Sequence, residues 1–369
     1  MNPALSDSSS VIEASDVSVM YGSAKVLDIP SFQVFPNEVL LLLGPNGSGK
    51  TTLLLCLARL LKPSTGTFFY NGVPVMDSES VLRLHRRIAM VFQESLLLNG
   101  TVWDNVTLGL RLRKVAVAEI EARARKWMER FGIWQLAKRQ AGTLSGGEAK
   151  RASLARAFVL QPDVLFMDEP FNALDSPTHQ ALIEDFESVL RETRVTTVMV
   201  THDRNEAIAL ASRVVVLIGG EIRQIGTTES IFSMPADEEV ANFIEVGNII
   251  HGVVSSVENG LVNVDIHGRH IEAVSDLKTG TQVAVLLNND DVTIWLPSQQ
   301  MASSSARNQL AGSIVKLFPV GPMIKATIDC GFPLVALVTR RSCDELDLKI
   351  GQTVIASFKA SAIQLIPRL

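Results

Sequence analysis

The stretch GPNGSGKT at residues 44–51 constrains the fold of this chain more than any other feature. It lies between an apolar run, EVLLLLG, and a helix-like segment, GKTTLLLCLARLL. Glycines in such a loop let backbone N–H groups turn inward around phosphate oxygens, and the N-terminus of the next helix adds its dipole. The sequence therefore predicts a strand–loop–helix phosphate site made of Gly44, Pro45, Asn46, Gly47, Ser48, Gly49, Lys50, Thr51 and Thr52.

Two side chains of this loop and two acids farther along predict what the phosphate belongs to. Lys50 is placed to reach the β and γ phosphates of a nucleotide, and the Thr51 hydroxyl to ligate Mg²⁺. A second apolar run, VLFMDEP at residues 164–170, ends in Asp168 and Glu169. Asp168 can hold the Mg²⁺, and Glu169 can orient and deprotonate an attacking water. We therefore expect ATP and Mg²⁺ as ligands.

Short apolar runs alternate with helical stretches from about residue 10 to residue 245. Strand-like runs at 87–93, 163–170, 195–203 and 213–222 are separated by longer helix-like segments. Such alternation is typical of an α/β domain built around a mainly parallel sheet. We assign this domain to residues 1–247.

A second phosphate cradle occurs at LSGGE, residues 144–148. Ser145, Gly146 and Gly147 open a helix, so they offer backbone donors and a helix dipole. One domain does not need two cradles for one nucleotide. A head-to-tail homodimer uses both cradles. In it, each LSGGE caps the ATP held by the phosphate-binding loop at residues 44–51 (the P-loop) of the partner.

In this combination the motifs resemble those of the nucleotide-binding subunits of ABC transporters, over about residues 10–245. The resemblance implies an α/β P-loop ATPase fold in which Tyr21 stacks on adenine, NALD at 172–175 is the D-loop and His202 is the switch histidine. It also identifies Gln93 as the Q-loop glutamine, which senses the γ-phosphate. The implied catalytic residues are Lys50, Gln93, Glu169 and His202, and the implied Mg²⁺ ligands are Thr51, Gln93 and Asp168.

The resemblance also implies partners and a location. ATP binding would close the homodimer, and residues 94–106 would grip an integral-membrane permease that receives cargo from a substrate-binding protein. The longest apolar runs are too short to span a bilayer, so we expect a peripheral protein on the cytoplasmic face of the plasma (inner) membrane. A net charge of −5 gives no general attraction to nucleic acid.

Two positions depart from the family's common pattern. In the signature, LSGGE and the residues that follow it, Lys150 stands where a glutamine is usual, and Asn172, the first residue of NALD, stands where a serine is commoner. Neither change removes a group that the chemistry needs. We therefore expect an active ATPase.

After residue 247 the pattern changes to short alternating strands between Gly and Asn/Asp turns, which is typical of all-β structure. NIIHG at 248–252 aligns with NQLAG at 308–312, and LKTGTQV at 277–283 aligns with LKIGQTV at 348–354. We predict two small OB-like barrels, residues 248–296 and 305–369, joined by a linker at 297–304.

This tail resembles the TOBE domains of ABC importer ATPases, and its second copy resembles the Mop-type molybdate-binding module. The resemblance rests on SARN and KAS, and it implies an oxyanion site for molybdate or tungstate. Converging Arg, Lys, Ser and backbone N–H donors suit a doubly charged anion. The candidate residues are Ser305, Ala306, Arg307, Asn308, Lys359, Ala360 and Ser361.

The first copy lacks these donors, since Gly247 aligns with Arg307 and the segment 288–290, NND, aligns with KAS. We therefore interpret the first copy as structural and the second as the anion sensor of a molybdate or tungstate importer. Two alternatives stay open: an importer of sulfate, ferric iron, sugar or polyamine, and a soluble ABC ATPase that serves no transporter.

Overall fold

The computed structural model describes residues 9–297 and 305–368. By its internal contacts the chain divides into two compact units, residues 1–231 and 232–369, and each is described by itself. Most of the predicted linker, residues 298–304, lies outside the described residues. Within the described ranges, no helix is both long and apolar enough to cross a membrane.

The first unit alternates strands and helices along the chain. Its elements are β1 (Ile12–Tyr21), β2 (Ala24–Val34), β3 (Val39–Leu43), α1 (Lys50–Leu57), β4 (Thr65–Tyr70), β5 (Val73–Pro74), α2 (Ser78–His85), β6 (Ile88–Val91), α3 (Val102–Leu112), α4 (Val117–Arg130), α5 (Gly146–Phe158), β7 (Val164–Asp168), α6 (Ser176–Thr193), β8 (Thr196–Val200), α7 (Arg204–Leu210), β9 (Arg213–Ile218) and β10 (Glu221–Gly226). A further helix, α8 (Thr228–Ser233), crosses the boundary between the units.

The main sheet of this unit has the strand order β10-β9-β3-β8-β7-β6. The strands from β9 to β6 run parallel, and β10 pairs antiparallel with β9. Every residue of β7 and β8 is buried, as expected for central strands of a parallel sheet. A second, antiparallel sheet, β2-β1-β4-β5, shares a hydrophobic core with it. This confirms the predicted α/β class.

Four predicted motifs follow four neighbouring parallel strands. The P-loop follows β3, His202 comes soon after β8, Asp168 ends β7, and Gln93 comes soon after β6. The carboxyl ends of parallel strands meet at one edge of a sheet, which is where ligands bind in open α/β folds. The topology therefore gathers motifs that are far apart in the sequence.

The second unit begins with a short helix and continues as strands. Its elements are α9 (Glu238–Phe243), β11 (Asn248–Glu258), β12 (Leu261–Ile266), β13 (Arg269–Val274), β14 (Gln282–Leu287), β15 (Thr293–Trp295), β16 (Asn308–Val320), β17 (Met323–Asp329), β18 (Pro333–Thr339), α10 (Arg340–Glu345), β19 (Thr353–Phe358) and β20 (Gln364–Pro367). Its strands pair antiparallel in two five-stranded sheets, β13-β12-β11-β14-β20 and β15-β19-β16-β17-β18. The all-β tail is thus also confirmed.

The two copies of the repeat match strand for strand but exchange their last strands. β11 and β16 start at the aligned asparagines Asn248 and Asn308, and both carry a bulge at the corresponding place. β15 of the first copy pairs with β19 of the second, and β20 of the second pairs with β14 of the first. One hydrophobic core contains buried residues of both copies. Each copy therefore buries its apolar face with the help of the other.

Candidate functional site

The P-loop conformation depends on two glycines. A Cβ on Gly44, at φ +153°, would lie 2.0 Å from the carbonyl oxygen of Leu217. A Cβ on Gly49, at φ +96°, would lie 2.9 Å from the carbonyl oxygen of Val26. Both positions thus exclude a side chain, and Gly49 is also the N-cap of α1. The helix N-terminus that favours a phosphate therefore starts directly from the loop.

Lys50 lies within this loop and is almost fully buried. Its Nζ donates hydrogen bonds to the carbonyl oxygens of Gly44, at 2.8 Å, and Pro45, at 2.9 Å. Burial lowers the pKa of Lys50, whereas the nearby carboxylates of Glu169 and Asp168 act to raise it. The hydroxyl of Ser48 is buried without a hydrogen-bond partner in the described part of the chain. The loop thus contains a cation and an unpaired hydroxyl, as a phosphate site requires.

Two of the predicted Mg²⁺ ligands lie together. The Thr51 hydroxyl donates to Asp168 Oδ1 at 3.0 Å, and burial raises the pKa of Asp168. A hydroxyl and a carboxylate are the hard oxygen ligands that Mg²⁺ prefers, so these residues fit the ion. The third predicted ligand, Gln93, is exposed, and its amide makes no hydrogen bond within residues 9–297 and 305–368. Thr51 and Asp168 are thus in direct hydrogen-bond contact, whereas Gln93 follows the neighbouring strand β6 at the same edge of the sheet.

Glu169 has an unusual backbone and a defined side chain. Its φ is +42°, and its N–H donates to the carbonyl oxygen of Val200 at 2.9 Å. A positive φ in a non-glycine residue costs about 1–3 kcal/mol and occurs both in turns and at functional sites. His202 Nδ1 lies 3.4 Å from Glu169 Oε1, and Asn172 Nδ2 donates to Oε2 at 3.0 Å. The predicted base and switch histidine are thus neighbours.

Asn172 shows what the sequence interpretation missed. The sequence marks it only as a departure from the family pattern, yet its amide donates a hydrogen bond to the Glu169 carboxylate. A cleft of about 430 Å³ beside these residues is lined by Glu169, Asn172, His202 and other residues of α6 and α7. The signal was present in the sequence, because an amide three residues after a catalytic acid can reach back to it.

Among the remaining nucleotide-binding candidates, Tyr21, Ser145 and Gly146 are exposed, and Gly147 is partly buried. Tyr21, at the end of β1, is 57% exposed, and an exposed ring is available for stacking. Ser145 is the N-cap of α5, and its hydroxyl accepts from the N–H of Glu148 at 3.3 Å. Among the described residues no hydrogen bond joins the segment 145–147 to the P-loop. The predicted role of this segment across a dimer stays a prediction.

Lys150 is a second residue whose role the sequence did not reveal. It is buried in α5, and its ammonium donates to the carbonyl oxygen of Gln93. Burial lowers its pKa, and Glu94 acts to raise it. The unusual lysine of the signature therefore ties the LSGGE helix to the Q-loop.

The two segments of the oxyanion candidate, SARN and KAS, lie at the same end of one strand pair. Asn308 pairs with Phe358 in the β16–β19 ladder, so Arg307 and Lys359 leave the same end of that strand pair. Ser305, Arg307, Lys359 and Ser361 are exposed, whereas Asn308 and Ala360 are buried. The turn at residues 360–362 lies against β13 of the first copy. The candidate site thus lies where the second copy meets the first.

The carboxylate of Glu272 contacts one of the candidate oxyanion-binding residues, Arg307. Glu272, in β13, forms an ion pair with Arg307 and raises the pKa of that guanidinium. The Asn308 side chain donates to the Glu272 carbonyl oxygen at 2.8 Å and accepts from the Glu272 N–H at 2.7 Å. Asn248 of the first copy makes the same two bonds to Val335, at 2.9 and 2.7 Å. The copies therefore clamp each other through equivalent asparagines.

Family models match both parts of the chain. The ABC transporter model matches residues 27–172, and the TOBE domain model matches residues 304–365. The first match covers the P-loop, Gln93, LSGGE, Asp168 and Glu169, whereas Tyr21 lies before it, and His202 and residues 173–175 of the D-loop lie beyond it. The second match covers SARN and KAS.

Curated relatives match most of the chain. The molybdate/tungstate import ATP-binding protein WtpC of Pyrococcus horikoshii is 35% identical over 97% of this chain and 100% of the relative. The spermidine/putrescine import ATP-binding protein PotA of Oleidesulfovibrio alaskensis is 35% identical over 78% of this chain and 77% of the relative. The sulfate/thiosulfate import ATP-binding protein CysA of Nitrosomonas europaea is 33% identical over 85% and 84%.

Solved structures agree on the first unit's fold. The cbiO1 structure from Clostridium perfringens, part of an ABC transporter complex, has a TM-score of 0.57 and is 26% identical, covering 64% of this chain and 95% of that chain. The dimeric structure of MJ0796, a bacterial ABC transporter cassette, has a TM-score of 0.54 and is 28% identical, covering 59% and 98%.

Proposed function

The chain belongs to the ABC transporter family as an ATP-binding, ATP-hydrolysing subunit of the importer type, and from this premise we propose that it powers the uptake of molybdate or tungstate. The observation that carries the cargo assignment is that Arg307 and Lys359 leave the same end of the β16–β19 pair. The WtpC relative, named for molybdate and tungstate import, aligns with almost the whole chain, including this tail.

We assign the nucleotide site as follows. Lys50 and the P-loop backbone hold the β and γ phosphates, and Tyr21 stacks on the adenine. Thr51, Asp168 and, after movement of its loop, Gln93 would hold Mg²⁺, which neutralises phosphate charge when bound. Glu169 orients the attacking water and accepts its proton, and His202, 3.4 Å from that carboxylate, stabilises the transferred phosphoryl group.

Two subunits complete each site. Ser145, Gly146 and Gly147 of one subunit cap the ATP held by the other, so ATP binding closes a homodimer and hydrolysis reopens it. MJ0796, a similar cassette, is dimeric in its structure. Exposed leucines after the Q-loop, Leu96 and Leu98, lie on the surface that we assign to the membrane permease. The subunit then acts at the cytoplasmic face of the membrane, and a substrate-binding protein supplies the permease.

A second cargo class is supported by the other relatives. PotA and CysA are named for spermidine/putrescine and for sulfate/thiosulfate import, and both match about four fifths of this chain. A polyamine is a cation, and the exposed Arg307 and Lys359 do not suit it. Sulfate is a tetrahedral dianion like molybdate, so it is the stronger alternative.

A thermal-shift panel on the full-length protein tests the assignment. Molybdate, tungstate, sulfate, phosphate and spermidine are compared at equal ionic strength, because a ligand that binds the folded state raises the Tm with its concentration. We expect shifts with molybdate and tungstate that are absent in Lys359→Glu. A larger shift with sulfate would transfer the cargo assignment to sulfate, and no shift with any oxyanion would overturn the tail site.

A further inference from the structure

The ion pair between Arg307 and Glu272 has no equivalent in the other copy. The two asparagine clamps are equivalent: Asn248 bonds to Val335 as Asn308 bonds to Glu272. Asn248 therefore corresponds to Asn308, and Val335 corresponds to Glu272. Gly247 corresponds to Arg307. The cation and the carboxylate are therefore present together in one half of the tail and absent together in the other half, although the backbone contacts are the same.

The position of Glu272 is fixed by its backbone and not by its side chain. Both its N–H and its carbonyl oxygen are bonded to the buried side chain of Asn308, the residue that follows Arg307. Glu272 is therefore held beside Arg307 whether or not their charged groups touch. The side-chain pair itself is accessible, with Arg307 57% and Glu272 30% exposed.

The second cation of the candidate site lacks such a partner. Lys359 is exposed and takes part in no ion pair within residues 9–297 and 305–368. A dianion that binds both cations finds Lys359 available but must replace the Glu272 carboxylate at Arg307. An exposed ion pair is weak, typically about 0–1 kcal/mol, so a dianion can displace it. The freed carboxylate then stays near the bound anion and repels it.

We propose that Glu272 is an internal competitor that occupies Arg307 and sets the affinity of the tail for its oxyanion. The proposal rests on the proposed oxyanion site and adds its regulation by a carboxylate from the structural copy. When the dianion binds, it replaces the Glu272 carboxylate as the partner of Arg307. The asparagine clamp keeps Glu272 beside Arg307, so the ion pair forms again when the dianion leaves. The affinity is thereby tuned to be weaker than the cations alone would give.

Oxyanion affinity of the full-length protein and its Glu272→Gln variant tests this proposal. Isothermal titration with sodium molybdate at constant ionic strength should give about tenfold tighter binding for Glu272→Gln, because one competing charge beside a dianion is removed. Glu258→Gln, which removes an exposed carboxylate at the end of β11, is the matched control and should bind like the wild type. In an Arg307→Ala background, Glu272→Gln should gain less, since the competition for the cation is gone and only the repulsion between carboxylate and anion is removed.

The outcomes separate this inference from the proposed function. Equal affinity of wild type and Glu272→Gln overturns the competitor role while leaving the oxyanion site intact. Weaker binding by Glu272→Gln also overturns it, because Glu272 would then be positioning Arg307 for the ligand. If neither protein binds molybdate, tungstate or sulfate, the oxyanion site itself is wrong. Hydrogen exchange at the Glu272 amide, which the clamp protects in every variant, shows that the tail is folded.

Discussion

Glu169 combines three features at one residue: a positive φ, an amide that holds its carboxylate and a histidine beside it. If it is the general base, Glu169→Gln should lower the ATPase rate at least about 100-fold while ATP still binds, since base catalysis contributes about 10²–10⁴-fold. Phosphate release measures the rate, and size-exclusion chromatography with ATP should show an accumulated dimer. Glu187→Gln, in the middle of α6, is the control. A Glu169→Gln protein that hydrolyses ATP at near the wild-type rate would exclude the assignment.

Lys150 is a second residue whose chemistry is measurable. Since burial lowers its folded-state pKa below 10.5, folding disfavours its charge. The resulting loss of stability is complete below the folded pKa and is relieved as the pH rises from there to the unfolded pKa. We expect Lys150→Gln, which keeps a donor for Gln93, to abolish this pH dependence and to retain ATPase activity. Lys150→Met lacks the donor and should lower activity several-fold.

Urea unfolding between pH 7 and pH 10 measures the first effect, and a steady-state ATPase assay measures the second. If the free energy of unfolding changes with pH in the same way for wild type and Lys150→Gln, the buried-charge explanation is contradicted. Equal activity of Lys150→Gln and Lys150→Met would show that the hydrogen bond to the Q-loop carbonyl does not matter for hydrolysis.

At the scale of elements, the two asparagine clamps join β16 to β13 and β11 to β18. Each asparagine is buried, and each satisfies one N–H and one carbonyl group of the strand that it faces. Asn308→Ala or Asn248→Ala leaves two backbone groups without partners, which should cost about 2–4 kcal/mol. Hydrogen exchange should then accelerate at the Glu272 amide in Asn308→Ala and at the Val335 amide in Asn248→Ala.

Asn263→Ala is the control, because within the described part of the chain that side chain bonds only to the Ser256 hydroxyl, and it is not fully buried. Unchanged protection of both amides in the clamp variants would mean that the ladders of the two sheets, and not the asparagines, hold the copies together.

Elements also show how far the sequence could predict this molecule. The P-loop, Asp168 and Glu169 were predictable, because each motif is local and the parallel topology places all strand ends at one edge. The strand exchange in the tail was not, since an alternating pattern does not specify which neighbouring sheet a short strand joins. The Glu272–Arg307 pair joins residues of the two copies, so it depends on how the copies pack together. A sequence alone could therefore give the cations of the candidate site but not their competitor.

For the whole molecule, the exchanged strands predict that neither tail copy folds alone. A chain that ends at Pro297 loses β19, the partner of β15, and β20, the partner of β14, and it exposes the shared core. We expect residues 248–296 of this truncated protein to exchange backbone hydrogens at least about 100-fold faster than in the full chain, because a repeat cannot bury its apolar face by itself. A chain that ends at residue 231 should still bind ATP, which would show that the first unit folds without the tail. Retained protection of β11 and β14 in the chain ending at Pro297 would instead make the first copy an independent folding unit.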